Sequence, residues 1–103
     1  GPAALAADAN GVYAIRGAGT VSCGAYLNSS PQEKLYAQTW WAGYVTAMNR
    51  VTPKTYHLLG KASVGAVEKW LANYCRRNPK ARFESAVNAM LKAAYPNRAQ
   101  TAP

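Results

Sequence analysis

Two cysteines set the strongest constraint on this chain: Cys23 and Cys75 stand 52 positions apart in a sequence of 103 residues. Bonded to each other, they would close half the chain into one loop, which the chain-entropy model values at about 4 kcal/mol. An even, minimal cysteine count suits a small domain in an oxidising compartment. The other reading is a pair of buried free thiols in a reducing one. The first residues favour export. Ala4-Leu5-Ala6 followed by Ala7-Asp8 has the A-x-A pattern that ends a secretory signal peptide, and Gly1-Pro2 reads as the scar of tag removal. The expected location is therefore periplasmic, after cleavage of a signal peptide.

Half the residues are hydrophobic and 16% are charged, enough apolar surface for a single core and too little charge for disorder. No run approaches the roughly 18 apolar residues of a membrane span. The apolar pattern is helical. Ser22 is placed to cap a short helix over 22–28, with Cys23, Tyr26 and Leu27 on one face. Ser30-Pro31-Gln32-Glu33 is a helix start, with Ser as N-cap, Pro in the first turn and Glu at the third position, and the helix should run to about Arg50 before Thr52-Pro53. Its expected stripe is Ala37, Trp41, Tyr44 and Met48, flanked by Trp40 and Ala47. Gly43 in the middle costs about 1 kcal/mol relative to Ala unless something packs against the backbone there. Residues 51–62 form a connection anchored by Tyr56, Leu58 and Leu59. Ser63 caps a third helix to about Arg77 with Val67, Trp70, Leu71, Tyr74 and Cys75 inward, and Asn78-Pro79 opens a fourth to about Ala94 with Phe83, Val87, Met90, Leu91 and Ala94 inward. The fold class is an all-α single domain of one short and three longer helices. Residues 1–21 are expected to be a flexible N-terminal segment, 22–95 the helical domain, and 96–103 a mobile tail without apolar anchors.

The net charge is +8, and all of it lies from Arg50 onward; the first 49 residues balance Arg16 and Lys34 against Asp8 and Glu33. Arg76, Arg77, Lys80 and Arg82 cluster around the third interhelical connection and are the candidate contacts for an anion or an acidic partner. An acidic protein face and anionic lipid headgroups both suit such a cluster; nucleic acid suits it chemically but is seldom met by an exported protein. Both arginines next to Cys75 also have a structural reason, the negative end of the third helix. The candidate contacts for a protein partner are Trp40, Trp41, Tyr44 and Met48: adjacent tryptophans point about 100° apart, so one should reach the surface. Enzymatic readings lack parts. His57 has no second His or Cys at ligand spacing, Gly17 and Gly19 are a lone pair outside any phosphate-loop pattern, and bonded cysteines supply no nucleophile. No cofactor or metal is expected, and no catalytic residue is assigned.

Two cysteine neighbourhoods carry a resemblance. Cys23-Gly24-Ala25-Tyr26-Leu27 fits C-x-x-[FY]-L, and Cys75, Asn78, Phe83 and Val87 fit C-x-x-[DN]-x-x-x-x-F-x-x-x-V. Over roughly residues 21–92 the chain resembles the HdeA/HdeB family of small periplasmic helical proteins. It is similar more distantly to periplasmic immunity proteins of type VI secretion effectors, the Rap1a/Tai class. The first resemblance implies one disulfide, Cys23 to Cys75, a homodimer near neutral pH, and an acid-stress chaperone that holds clients through an aromatic helix face including Trp40, Trp41, Tyr44, Val45 and Met48. The second implies an inhibitor that docks its basic junction onto an acidic toxin or enzyme cleft. An acid trigger works through titrating groups, and this chain has four carboxylates and one histidine. Its standing positive charge fits attraction to an acidic partner.

Overall fold

The computed structural model describes residues 6–103; the tag-scar reading of Gly1-Pro2 and the start of the signal-peptide pattern lie outside the described residues. Among the described residues the chain is all-helical: α1 (Cys23–Leu27), α2 (Pro31–Val51), α3 (Val64–Arg77) and α4 (Phe83–Ala94), with 3-10 turns at Gly17–Thr20 and Tyr95–Asn97. No helix among them is long and apolar enough to cross a membrane.

Three serines start three helices. Ser22 Oγ accepts from the Ala25 amide and Ser63 Oγ from the Ala66 amide, both at 3.1 Å. At α2, Glu33 N donates to Ser30 Oγ at 3.2 Å while Ser30 N donates to Glu33 Oε1 at 2.9 Å, a reciprocal capping box behind Pro31. Each cap satisfies amides that the first turn of a helix leaves without partners.

The core is Tyr26, Ala37, Trp41, Val45, Leu58, Val67, Leu71, Phe83, Ala86, Val87, Met90 and Leu91 around the Cys23–Cys75 disulfide. Both cysteines are fully buried, with Cα atoms 4.7 Å apart, so the bond ties α1 to the last turn of α3 inside the core. The stripe of α2 differs from expectation by a rotation. Ala37, Trp41 and Val45, spaced by four, are buried, while Trp40, Tyr44 and Met48 pack at its border and Ala47 is exposed. In the connection after α2 Leu58 is buried, but the Tyr56 side chain is about half exposed and does not enter the core.

The fourth helix starts later than its Asn-Pro signal suggests. It begins at Phe83, and residues 78–82 are a turn closed by the Ala81 amide on the Asn78 carbonyl at 3.0 Å. The cause is tertiary. The carbonyls of Pro79 and Ala81 accept from the first amides of α1, Gly24 at 2.9 Å and Cys23 at 2.7 Å. A helix opening at Pro79 would turn those carbonyls along its own axis and leave the α1 amides without partners. Asn78 instead closes α3, its Nδ2 donating to the Tyr74 carbonyl at 2.9 Å.

Residues 13–21 and 98–99 make specific contacts with the rest of the described fold. In the nominally flexible segment 1–21, residues 13–21 form a strap over α2 and α4. Tyr13 Oη donates to Glu84 Oε2 at 2.9 Å, Trp40 Nε1 donates to the Arg16 carbonyl at 2.8 Å, and the Phe83 amide donates to the Val21 carbonyl at 2.8 Å. In the tail, Ala99 pairs with His57: the Ala99 carbonyl accepts from the amides of Tyr56 and His57, and the Ala99 amide donates to the His57 carbonyl at 3.0 Å. Arg98 Nε donates to Thr55 Oγ1 at 2.8 Å, and its guanidinium lies 3.9 Å over the Tyr95 ring. The tail was expected to lack apolar anchors, and what holds residues 98 and 99 is backbone pairing, a side-chain hydrogen bond and a cation–π contact, which apolar periodicity does not register.

Candidate functional site: a locked basic corner and a covered aromatic cluster

The four cations predicted as an anion-contacting group lie on one corner. Arg76 and Arg77 end α3, Lys80 sits in the turn and Arg82 precedes α4; all four are exposed. Arg76 donates to Asn73 on the same helix. The backbone beneath them is fixed from three sides. Cys75 is bonded to Cys23, the carbonyls of Pro79 and Ala81 hold the start of α1, and Ser22 bridges Arg82 in an antiparallel pair. A charged surface on a backbone tied this way loses little freedom on binding. No helix N-terminus lies at Asn78-Pro79, because α4 starts at Phe83.

The aromatic residues expected to meet a partner are placed differently. Trp41 is buried at 7% exposure, and Met48 is half-buried against the core. Of the two adjacent tryptophans Trp40 is the less buried, and it is half-buried under the strap: its indole stacks on Tyr44 at 5.1 Å, meets Phe83 edge-on at 6.0 Å, and bears on Gly19 so closely that a Cβ there would penetrate the ring. Tyr44 Oη donates to Asn88 Oδ1 at 2.7 Å, with Glu84 Oε2 at 3.4 Å. Trp40 and Tyr44 thus form an internal cluster under residues 13–20, while Trp41 and Met48 pack with the core.

Sequence reasoning did not single out Glu84, a carboxylate only 4% exposed. Its Oε2 accepts from Tyr13 Oη and from Asn88 Nδ2, both at 2.9 Å, linking strap to α4 at the point where α2 contributes Tyr44. The one available signal was Glu84 and Asn88 at i, i+4 on an otherwise apolar face. The carboxylate acts back on its neighbours. The hydrogen bond to Glu84, then its charge, raises the pKa of Tyr13 above the ordinary phenol value; burial, then the Glu84 charge, does the same for Tyr44. Burial also raises Tyr26, and the Ser30 amide and hydroxyl hold Glu33 below its usual range.

Beside α1 lies a cleft of about 400 Å³ lined mainly by Gly17, Ala18, Val21, Ala25, Tyr36 and Ala37, with Tyr26, Ser29 and Glu33 completing it. Sequence periodicity assigned no role to Val21 or Tyr36, which are 38% and 61% exposed. Among the described residues no group of His, Cys, Asp and Glu could hold a metal ion, and both cysteines are in the disulfide. Comparison with protein-family models, with curated proteins and with solved structures finds no match to this chain.

Proposed function

We propose that this chain is a non-enzymatic protein-binding domain of an extracytoplasmic, oxidising compartment, and that it binds an acidic protein surface through Arg76, Arg77, Lys80 and Arg82. The observation that carries this reading is the coincidence of four exposed cations with backbone tied by the disulfide and by hydrogen bonds to α1. Few carboxylates are free to compete. Asp8 accepts from the amides of Asn10 and Val12, Glu33 closes its capping box and Glu84 is buried. Such a surface gives fast, salt-sensitive association and inhibitor-like docking into an acidic cleft, as the resemblance to immunity proteins implies. The test is affinity capture, without cross-linking, from periplasmic extract of a bacterium carrying the gene, comparing the chain with a variant in which all four cations are reversed to Glu. Acidic proteins should be captured at low salt, released at high salt and lost with the reversed variant. Capture indifferent to both salt and charge reversal would sink the reading.

A second reading, acid-activated client holding, is favoured by one feature. The strap over Trp40 and Tyr44 is latched to the rest of the fold by Tyr13 on Glu84, so loosening of the strap would uncover an aromatic cluster. Light scattering of an acid-sensitive client at about pH 2–3 and at neutral pH, with and without the chain, tests it. Suppression of aggregation confined to acid supports client holding; its absence at both pH values ends that reading.

A further inference from the structure

The basic corner and the apolar cleft share a wall, and that adjacency says what kind of partner fits. We propose that the cleft beside α1 receives one aromatic or branched aliphatic side chain of the acidic protein whose carboxylates sit on the basic corner. This rests on the binding reading above and adds the apolar anchor that the corner itself lacks.

The lining favours an apolar occupant. The cleft holds about 400 Å³, at the low end for a ligand site, and its walls of Val21, Ala25, Tyr36 and Ala37 are apolar. Of its polar groups, the Ser29 hydroxyl donates to the Tyr26 carbonyl, one Glu33 oxygen accepts from the Ser30 amide, and the Tyr36 hydroxyl accepts from Gln32. An apolar side chain needs no polar partner there. Val21 and Tyr36 stand well exposed on its rim, apolar surface that a side chain inserted between them would remove from water.

Continuity with the cations sets the charge of the partner. Val21 accepts from the Phe83 amide and Ser22 pairs with Arg82, so the lip of the cleft runs into the corner. Gly24, the residue before Ala25, donates to Pro79 next to Lys80. One short helix therefore has the cleft on one edge and the basic turn on the other. An apolar anchor bordered by charge is the anatomy of a protein-binding hot spot. A partner of opposite sign is steered to the corner and held by the cleft.

The experiment uses the whole chain, 15N-labelled, and a synthetic peptide of about a dozen residues carrying one Trp among Asp and Glu, a hot-spot residue in an acidic frame. Matched peptides replace Trp by Ala or the acids by Lys. The acidic Trp peptide should shift the amides of residues 17–21 and 36–37 together with those of 76–82. Trp to Ala in the peptide should weaken binding about tenfold. Ala25→Leu, which fills the cleft from an exposed helical position, should weaken it similarly while the far-UV spectrum and melting temperature stay unchanged. Tyr36→Ala, which removes an exposed wall, gives an independent second variant. Shifts confined to 76–82 and indifferent to both variants would overturn the inference and leave the basic-corner reading standing. Shifts at neither region would overturn both. Equal cleft shifts with the Lys-framed peptide would overturn the link between cleft and charge.

Discussion

The corner formed by α1, the 78–82 turn and the end of α3 and the cluster under the 13–20 strap are held by opposite means. The corner is fixed covalently and by backbone hydrogen bonds, which leaves all four of its cationic side chains in solvent. The cluster is fixed by side chains, with Trp40 bonded to Arg16, Tyr13 bonded to Glu84 and Gly19 under the indole. Where backbone does the holding, side chains are free to meet a partner. Where side chains do the holding, they are consumed by the fold. The residues with the most partner-like chemistry, Trp40 and Trp41, are for that reason the ones least free to act on one.

The sharpest way to break this comparison is to remove the covalent tie. Replacing Cys23 and Cys75 together by Ser should cost about 4 kcal/mol, because the loop between them regains its freedom in the unfolded state. Chemical denaturation of oxidised chain and variant measures it. The strap cluster should follow the global transition, since Phe83 joins it to the same core. A variant that unfolds at the oxidised midpoint would show that the corner is held by its backbone bonds without the disulfide.

Next in size is the strap itself. Gly19→Ala places a methyl inside the Trp40 ring, which forces either the indole or the strap to move. Overpacking of this kind costs about 1–3 kcal/mol. Tryptophan emission should shift to the red as Trp40 loses its cover, while the salt-sensitive contact of acidic protein with the corner should hold. Because Gly17, Ala18 and Val21 also line the cleft beside α1, loss of the salt-sensitive contact as well would show that the strap and the corner are coupled.

A pH titration separates the regions without mutation. Tyr13 and Tyr44 have folded-state pKa values raised above the free phenol, so their protonated forms are favoured by folding. Their stabilisation is complete below the unfolded value of about 10 and is lost as pH rises through the folded values. The strap should therefore open in the alkaline range, seen as tyrosinate absorbance developing together with a change in Trp40 emission. Tyr13→Phe should remove the hydrogen bond to Glu84 and its part of that transition. In acid the depressed pKa of Glu33 works the other way: its contribution is present above the unfolded carboxylate value and fades as pH falls through the folded one. An unchanged alkaline transition in Tyr13→Phe would mean that the latch contributes nothing.

The helices were legible because their signals are local. Ser22, Ser30 and Ser63 cap where the sequence places them, and the cysteines flank the two short stretches that pack together. Asn78-Pro79 misled because carbonyls 79 and 81 are claimed by amides more than fifty residues away in sequence, a tertiary demand that no local pattern carries. The aromatic cluster misled for the same reason. A helical wheel assigns Trp40 to the border of a stripe, but what covers that border is a glycine turn and a tyrosine reaching back to a carboxylate on α4. The basic corner was legible as a charge cluster, and its rigidity was not, because rigidity comes from partners that the sequence does not name.

Gly43 gives the smallest effect and the cleanest control on the whole comparison. It lies in the middle of α2 on its exposed side, and a Cβ built there meets nothing within 4 Å. The packing reason that would excuse a mid-helix glycine is therefore missing from the folded chain, and Gly43→Ala should stabilise it by about 1 kcal/mol through backbone entropy alone. Thermal melting should rise by about 4–8 °C for a domain of this size. Neither the alkaline opening of the strap nor capture by the corner should change, since the methyl touches neither region. If melting rises as expected but capture of acidic protein is lost, the backbone at Gly43 is approached closely by the partner, and the binding surface extends across α2.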